Sequence, residues 1–186
     1  MNKITRIMAV AAFLAVTLPG GAWAGSSDDT RTVTVTVPAT LSITDEVGNF
    51  TLPFQNGSTS GAVSKNQNVG YRVICNSMPN SALSGAISAK ISAALTGVTI
   101  RGQSESDAFD NQGTGSNATL VSVNVGNPIS VGTSTTAIAT KPSTSAGTAG
   151  TLLNGTYFIN WTALATQDLG PGTVGTTSLT VTLKDA

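Results

Sequence analysis

Histidine is absent from the 186-residue chain, and cysteine occurs once, as Cys75. Without histidine the chain lacks the usual general base near neutral pH, the commonest metal ligand and any Ser-His-Asp arrangement. With a single cysteine, no disulfide can form within the chain. The acidic residues also form no pair in a pocket-forming context. These absences indicate a protein that is not an enzyme and that needs no cofactor.

Charge is scarce as well, because Asp, Glu, Lys and Arg together make up only 10% of the residues. No run of basic residues occurs anywhere, which argues against a nucleic-acid partner, since phosphates are met by clustered Lys and Arg. The residues that face water must instead be mainly Thr, Ser, Asn and Gly. Thr and Val favour strands, whereas Gly and Asn favour turns, so this composition predicts an all-β protein.

The first 24 residues have the pattern of a secretory signal peptide. Lys3 and Arg6 precede an apolar run over 7–18, and "AWA" at 22–24 is a small-x-small cleavage site. We expect cleavage to leave one domain, residues 25–186, which is secreted or held at the cell surface. A retained N-terminal anchor is the alternative. No other segment is long and apolar enough to predict a membrane span.

Alternation of apolar and polar residues with a period of two predicts most of the strands. The stretches with this pattern are "NFTLPF" (49–54), "NVGYRVIC" (68–75), "GVTIRG" (97–102), "LVSVNV" (120–125), "GTYFINWTAL" (155–164) and "SLTVTL" (178–183). In the fourth, we expect Val121, Val123 and Val125 to face inward. Eight or so short strands with turn signals between them predict an immunoglobulin-like sandwich of two sheets.

Several segments and side chains leave alternatives open. "GAISAKISAALTG" (85–97) alternates like a strand, but Ile87, Ile91 and Leu95 are also spaced like a helix. Clusters of Gly, Ser and Thr predict long loops at 102–118 and 132–150. Cys75 shares its face with apolar neighbours, which predicts a buried thiol, with an intermolecular disulfide as the alternative. Trp161 and Tyr157 are expected in the core, with a carbohydrate-stacking platform as the alternative.

One loop raises the question of calcium. Asp107, Asp110 and Asn111, with Glu105 nearby, crowd oxygen ligands into "ESDAFDNQG" (105–113), and calcium accepts irregular sets of oxygens. The spacing does not fit the calcium-loop pattern of EF-hands. A solvated loop without a metal is therefore the favoured interpretation, and the three residues are kept as calcium candidates.

The longest alternating stretch is "RTVTVTVPATLSI", residues 31–43, which carries no charge after Arg31. Its apolar row occupies every odd position: Val33, Val35, Val37, Ala39, Leu41 and Ile43. A strand that is long, flat and uncharged invites aggregation unless something pairs with it. The sequence leaves two partners open, the rest of the same chain or another copy of it.

This N-terminal strand resembles the donor strand of bacterial pilins, which completes the immunoglobulin-like fold of the next subunit. The ending "TTSLTVTLKDA" (176–186) resembles the last strand of pilin-like and spore-coat-U-like secreted domains, and "GYRVICNS" (70–77) is similar to their second strand. The resemblance implies that the odd-numbered row from Val33 to Ile43 fills a groove in a neighbour.

Two functions from different classes follow from these observations. The first is a structural subunit of a surface fibre, pilus-like appendage or coat, which forms a homo-oligomer or fibre by adding a strand between copies. The second is a monomeric secreted sandwich, an adhesin or glycan-binding module, whose loops at 102–118 and 132–150 contact a glycan or a host surface.

Overall fold

The computed structural model describes residues 34–36, 38–54, 59–112, 118–144, 151–172 and 174–185. The chain divides into two compact units, Met1–Thr36 and Val37–Ala186. In the first unit the described residues are 34–36, which are exposed and belong to no strand. The N-terminal 24 residues lie outside the described part, so the predicted signal peptide stays a prediction. The rest of this subsection concerns the second unit.

Ten strands and no helix make up the described part of the second unit. They are β1 (Leu41–Asp45), β2 (Gln67–Met78), β3 (Leu83–Ile91), β4 (Val98–Gln103), β5 (Phe109–Asn111), β6 (Val121–Ser122), β7 (Ile129–Val131), β8 (Thr136–Lys141), β9 (Thr151–Ala165) and β10 (Leu179–Leu183). Segment 85–97, ambiguous in the sequence, is therefore a strand over its first half, within β3.

The strands form two antiparallel sheets. The first has the order β1-β2-β9-β4-β7, with β5 also paired to β9, and the second has the order β10-β3-β8-β6. The predicted all-β sandwich of two sheets is confirmed, while its immunoglobulin-like character stays a prediction. The long strand β9 pairs with β2 along one edge and with β4 and β5 along the other, so it forms the centre of the first sheet.

The core lies between the inward faces of the two sheets. On β9 the odd-numbered residues Tyr157, Ile159 and Trp161 are fully buried, and on β2 the buried residues Val69 and Tyr71 lie opposite Ile159 and Tyr157 in the same layer. The prediction that Trp161 and Tyr157 belong to the core is confirmed. The prediction that Cys75 is buried is also confirmed.

Two glycines let bulky side chains fit into this layer. A Cβ on Gly102 of β4 would lie 2.9 Å from the Trp161 ring, and one on Gly155 of β9 would clash with the carbonyl oxygen of Asp110. Real Cβ atoms do not approach other atoms this closely. Glycine is therefore the residue that allows β4 and β5 to pack so tightly along β9.

Four sequence predictions, two for strands and two for loops, were wrong. Val121, Val123 and Val125 are exposed, and it is Ser122 that points inward, because its hydroxyl bonds to the Glu105 carbonyl (2.7 Å) and to Tyr157 Oη (2.9 Å). The stretch 49–54 is not a strand. The predicted loop 132–150 contains β8, and the predicted loop 102–118 contains β5.

Candidate functional site

A groove of about 1160 Å³ runs between the two sheets on the side where β1 and β10 lie. Its apolar floor comes from the core side of both sheets, and its walls come from two segments without strand structure. The floor includes Val69, Tyr71, Ile91, Ile100 and Ala163, and the walls are 48–54, which follows β1, and 169–178, which leads into β10 (residue 173 is not described).

The groove lies beside two strands that each keep one free edge in the described structure. β1 is the first strand of one sheet and pairs with β2, while β10 is the first strand of the other sheet and pairs with β3. At the opposite ends the strands are short, two residues in β6 and three in β7. Unpaired edges present rows of N–H and C=O groups that can accept a further strand.

The wall segment that follows β1 alternates like a strand, but it is not paired to a neighbouring strand by a ladder of hydrogen bonds. Phe50, Leu52 and Phe54 are half-buried and pack against the core from one face of this segment. Gly48 turns the chain with a φ of +71° directly after β1, and Pro53 has no N–H to donate. The Pro53 carbonyl accepts a hydrogen bond from the Lys65 N–H at 2.9 Å. These features explain why the predicted strand at 49–54 does not form.

The phenol of Tyr71, at the floor of the groove, is hydrogen-bonded to a core residue. Trp161 Nε1 donates a hydrogen bond to Tyr71 Oη at 2.9 Å. Burial raises the pKa of Tyr71 to about 12; the bond from Trp161 opposes this shift, and the negative charge of Asp45 adds to it. Burial likewise raises the pKa of Tyr157. Both phenols therefore favour the protonated form in the folded protein.

These shifts predict a loss of stability at alkaline pH. In the unfolded chain a tyrosine ionises near pH 10, whereas folded Tyr71 holds its proton until about pH 12. The stability from its burial is therefore complete below pH 10 and is lost between about pH 10 and 12, by roughly 2–3 kcal/mol. Denaturant unfolding at several pH values measures this loss, and Tyr71→Phe should flatten the profile.

A second readout uses the same two groups, because the chain contains only two tyrosines. We expect the ultraviolet absorbance of phenolate to stay low in the native protein at pH 10 to 11 and to rise near pH 10 in denaturant. Native phenolate absorbance that rises near pH 10 would contradict the burial of both rings.

The predicted donor residues fall into three groups. Val33 and Val37 lie outside the described residues. Val35 and Ala39 are exposed and belong to no strand, and Val35 is 81% exposed. Leu41 and Ile43 lie in β1, where their Cα partners are Cys75 and Val73 of β2. Leu41 and Ile43 therefore pair within the chain as part of a strand, whereas Val35 and Ala39 do not.

Asn76 holds the residues that come directly before β1. They are the last part of the segment 31–40, which we call the arm. Its side-chain amide donates to the Pro38 carbonyl at 2.7 Å, and its Oδ1 accepts from the Thr40 N–H at 2.7 Å. Its backbone N–H also donates to the Thr40 carbonyl at 3.2 Å. One asparagine thus ties residues 38 and 40 to the end of β2 through three hydrogen bonds. No pattern around Asn76 in the sequence predicts this role.

The calcium candidates do not converge on a metal site. Among the described residues, no group of three His, Cys, Asp or Glu side chains is placed to hold a metal ion. Asp107 is exposed, and Asp110 lies in β5 opposite Thr156, where its carboxylate accepts a 3.4 Å bond from Gln112 Nε2. Asn111 follows it in the same strand.

The described residues contain no helix with the length and hydropathy that crossing a bilayer requires.

Comparison with known protein families and with characterised proteins gives no match to this chain.

Proposed function

We propose that this protein is an exported, non-enzymatic subunit of a surface fibre, pilus-like appendage or coat, and that its copies assemble by β-strand addition. The observation that carries the proposal is the groove between β1 and β10, combined with an N-terminal arm whose described residues join no strand. In the assembly, the arm of one copy fills the groove of the next.

The size and lining of the groove favour a chain segment as its occupant. Pockets for small molecules are usually about 300–1,000 Å³ and are enclosed around the ligand, whereas this groove is larger, at about 1160 Å³. Its two long sides are sheet edges or segments that continue them. A strand placed there would gain backbone hydrogen bonds from the free edges and would bury its inward side chains against an apolar floor.

The arm has the matching pattern. Val33, Val35, Val37 and Ala39 alternate with Thr and Pro, so an extended arm has one apolar face and one polar face. Ten residues from 31 to 40 would span about 33 Å in a strand. Because Leu41 and Ile43 already pair with β2, the proposal assigns the donated face to the four residues from Val33 to Ala39.

The hydrogen bonds of Asn76 support donation between copies. They tie residues 38–40 to the end of β2 in the same copy, so the arm that is donated has a fixed base there. Donation to the next copy makes the contact head-to-tail, and such contacts extend into open fibres when they do not close into a ring.

Export is supported by the positive start and apolar run of the leader, and a structural role by the scarcity of reactive side chains. A fibre outside the cell benefits from a core stabilised by packing, since the single cysteine cannot form a disulfide within the chain.

The experiment compares the processed chain, residues 25–186, with a chain that begins at Leu41 and keeps all ten strands. Light scattering and unheated SDS gels report the size of each. We expect a ladder of SDS-resistant oligomers from the processed chain and a folded monomer from the shortened one. Processed chains that stay monomeric would contradict the proposal and would favour the glycan-binding alternative.

A further inference from the structure

The groove and the arm each carry one charge. Asp45 is the only charged side chain among the described residues that line the groove. Arg31 is the only charged residue between Asp29 and Asp45 in the sequence. We propose that Arg31 of an incoming arm pairs with Asp45 of the accepting copy, and that this ion pair fixes the direction and register of the arm. The inference rests on the proposed function.

The position of Arg31 in the alternation places it on the donated face. It has the same odd parity as Val33, Val35 and Val37, so in an extended arm its side chain lies at one end of the apolar row. At that end it reaches into the acceptor together with the valines, whereas the threonines of the arm face away. Asp45 forms no ion pair within the described residues, and its carboxylate is close enough to Tyr71 to raise the pKa of that phenol.

Strand register places Asp45 near one end of the groove. Asp45 lies opposite Tyr71, and Tyr71 lies opposite Tyr157 of β9. At the other end, Leu95 bridges to Val98, which lies opposite Ala165 of β9. Tyr157 and Ala165 are eight residues apart, or about 26 Å along a strand. Arg31 and Ala39 are also eight residues apart in the sequence, so the row between them matches this length when Arg31 lies at Asp45.

This placement makes the arm antiparallel to β10. The chain enters β10 from the Leu95 end, where a Cβ on Gly175 would lie 3.1 Å from Leu95 Cδ2 and Thr177 bonds to Ala93. It then runs towards β1, which β10 contacts. An arm with Arg31 at Asp45 and Ala39 near Leu95 runs the opposite way. The same arm would run parallel to β1, because the register of β1 with β2, and of β2 with β9, shows that β1 runs towards the Leu95 end. Each direction of the arm thus pairs antiparallel with one flanking strand and parallel with the other, and the charge pair is what selects between the two directions.

The reverse direction of the arm is unfavourable because it would leave both charges without a partner. It would bring the Arg31 guanidinium to the Leu95 end, where the groove presents apolar side chains, and would leave Asp45 covered without a partner. A charge that loses water without gaining a partner costs several kcal/mol. Close charge pairs in interfaces therefore specify orientation even where their net contribution to affinity is modest.

The experiment uses cysteine pairs in the processed chain. In Arg31→Cys/Asp45→Cys, oxidation should link the arm of one copy to the groove of the next and give a covalent ladder that a reductant removes. Arg31→Cys/Leu95→Cys places the second thiol at the opposite end and should give little ladder. The wild-type chain is the control for Cys75, which is buried. A stronger ladder from the Leu95 pair would overturn the proposal.

Charge reversal provides the second readout. Arg31→Glu and Asp45→Lys should each slow assembly by about tenfold, and the double reversal should restore most of the rate. Single reversals without effect, in a chain whose assembly Val35→Asp abolishes, would overturn the ion pair and leave strand donation standing. A wild-type chain that never assembles, or that assembles equally well with Val35→Asp, would remove the proposed function itself.

Discussion

Replacing Trp161 with alanine is expected to lower the free energy of unfolding by about 4 kcal/mol. Trp161 is fully buried at the centre of β9 and is the largest of the fully buried side chains. Its removal leaves a cavity between the two sheets, and it also removes the donor to Tyr71 Oη. Since whole domains are stable by only about 5–15 kcal/mol, this one change should strongly lower the denaturant concentration at the midpoint of unfolding. Denaturant unfolding followed by circular dichroism measures it.

Two further variants separate the causes. Trp161→Phe keeps much of the ring volume and removes the N–H, so a cost of about 1–3 kcal/mol is expected from the Tyr71 hydroxyl left without its donor. Phe158→Ala is the matched control, because Phe158 lies on the opposite face of the same strand and is 38% exposed. It should cost less than about 1 kcal/mol. Equal losses from Trp161→Ala and Phe158→Ala would contradict the assignment of the two faces.

Changing Val35 to aspartate is expected to abolish assembly and to leave the fold intact. Val35 is 81% exposed and belongs to no strand in the described chain, so the single copy loses no packing. In the proposed fibre the same side chain is buried in the groove of a neighbour. A carboxylate placed there without a partner costs several kcal/mol, and three such kcal/mol already weaken binding by more than about 100-fold.

Thr34→Asp is the control for this change. Thr34 is the preceding residue and is also exposed, and it carries the same added charge on the opposite face of an extended arm. Its effect on the rate of assembly should stay within about threefold, and both variants should melt like the wild-type chain. Equal losses of assembly from the two variants would mean that the charge of the arm, and not its apolar face, is what matters.

Much of this fold was predictable from alternation alone, because the inward side chains of β2, β9 and β10 follow a period of two. The pattern failed where a single tertiary contact outweighed local hydropathy. Ser122 faces inward because Tyr157 and Glu105 offer it hydrogen bonds, so the valines on either side of it face solvent. The residues near Ser122 in the sequence do not predict those hydrogen-bond partners.

The strand β8 was missed for a different reason. Its pairing with β3 shifts register on either side of Ile87, so Ile138 and Ala139 are both buried although they are neighbours in sequence. Such an irregularity breaks the alternation on which the prediction of strands depends. The segment also lies among Ser, Thr and Gly residues that are typical of loops.

The arm could be suspected from its sequence, but the groove could not. Its two sides come from β1 and β10, which are the first and last strands in the sequence. They lie beside the same groove because each is an edge strand of its sheet. The anchoring role of Asn76 likewise depends on a contact with residues 38–40. The identity of a single residue does not predict contacts with residues this far away in the sequence.

The measurement that tests strand donation most directly is binding of the arm in trans. A labelled peptide of residues 31–40 is added to the folded chain that begins at Leu41, and binding is followed by fluorescence anisotropy. We expect saturable binding of one peptide per chain, which Val35→Asp in the peptide abolishes and Thr34→Asp preserves. A folded shortened chain that binds neither the wild-type peptide nor the arm of an intact copy would contradict the proposal that the groove accepts a strand.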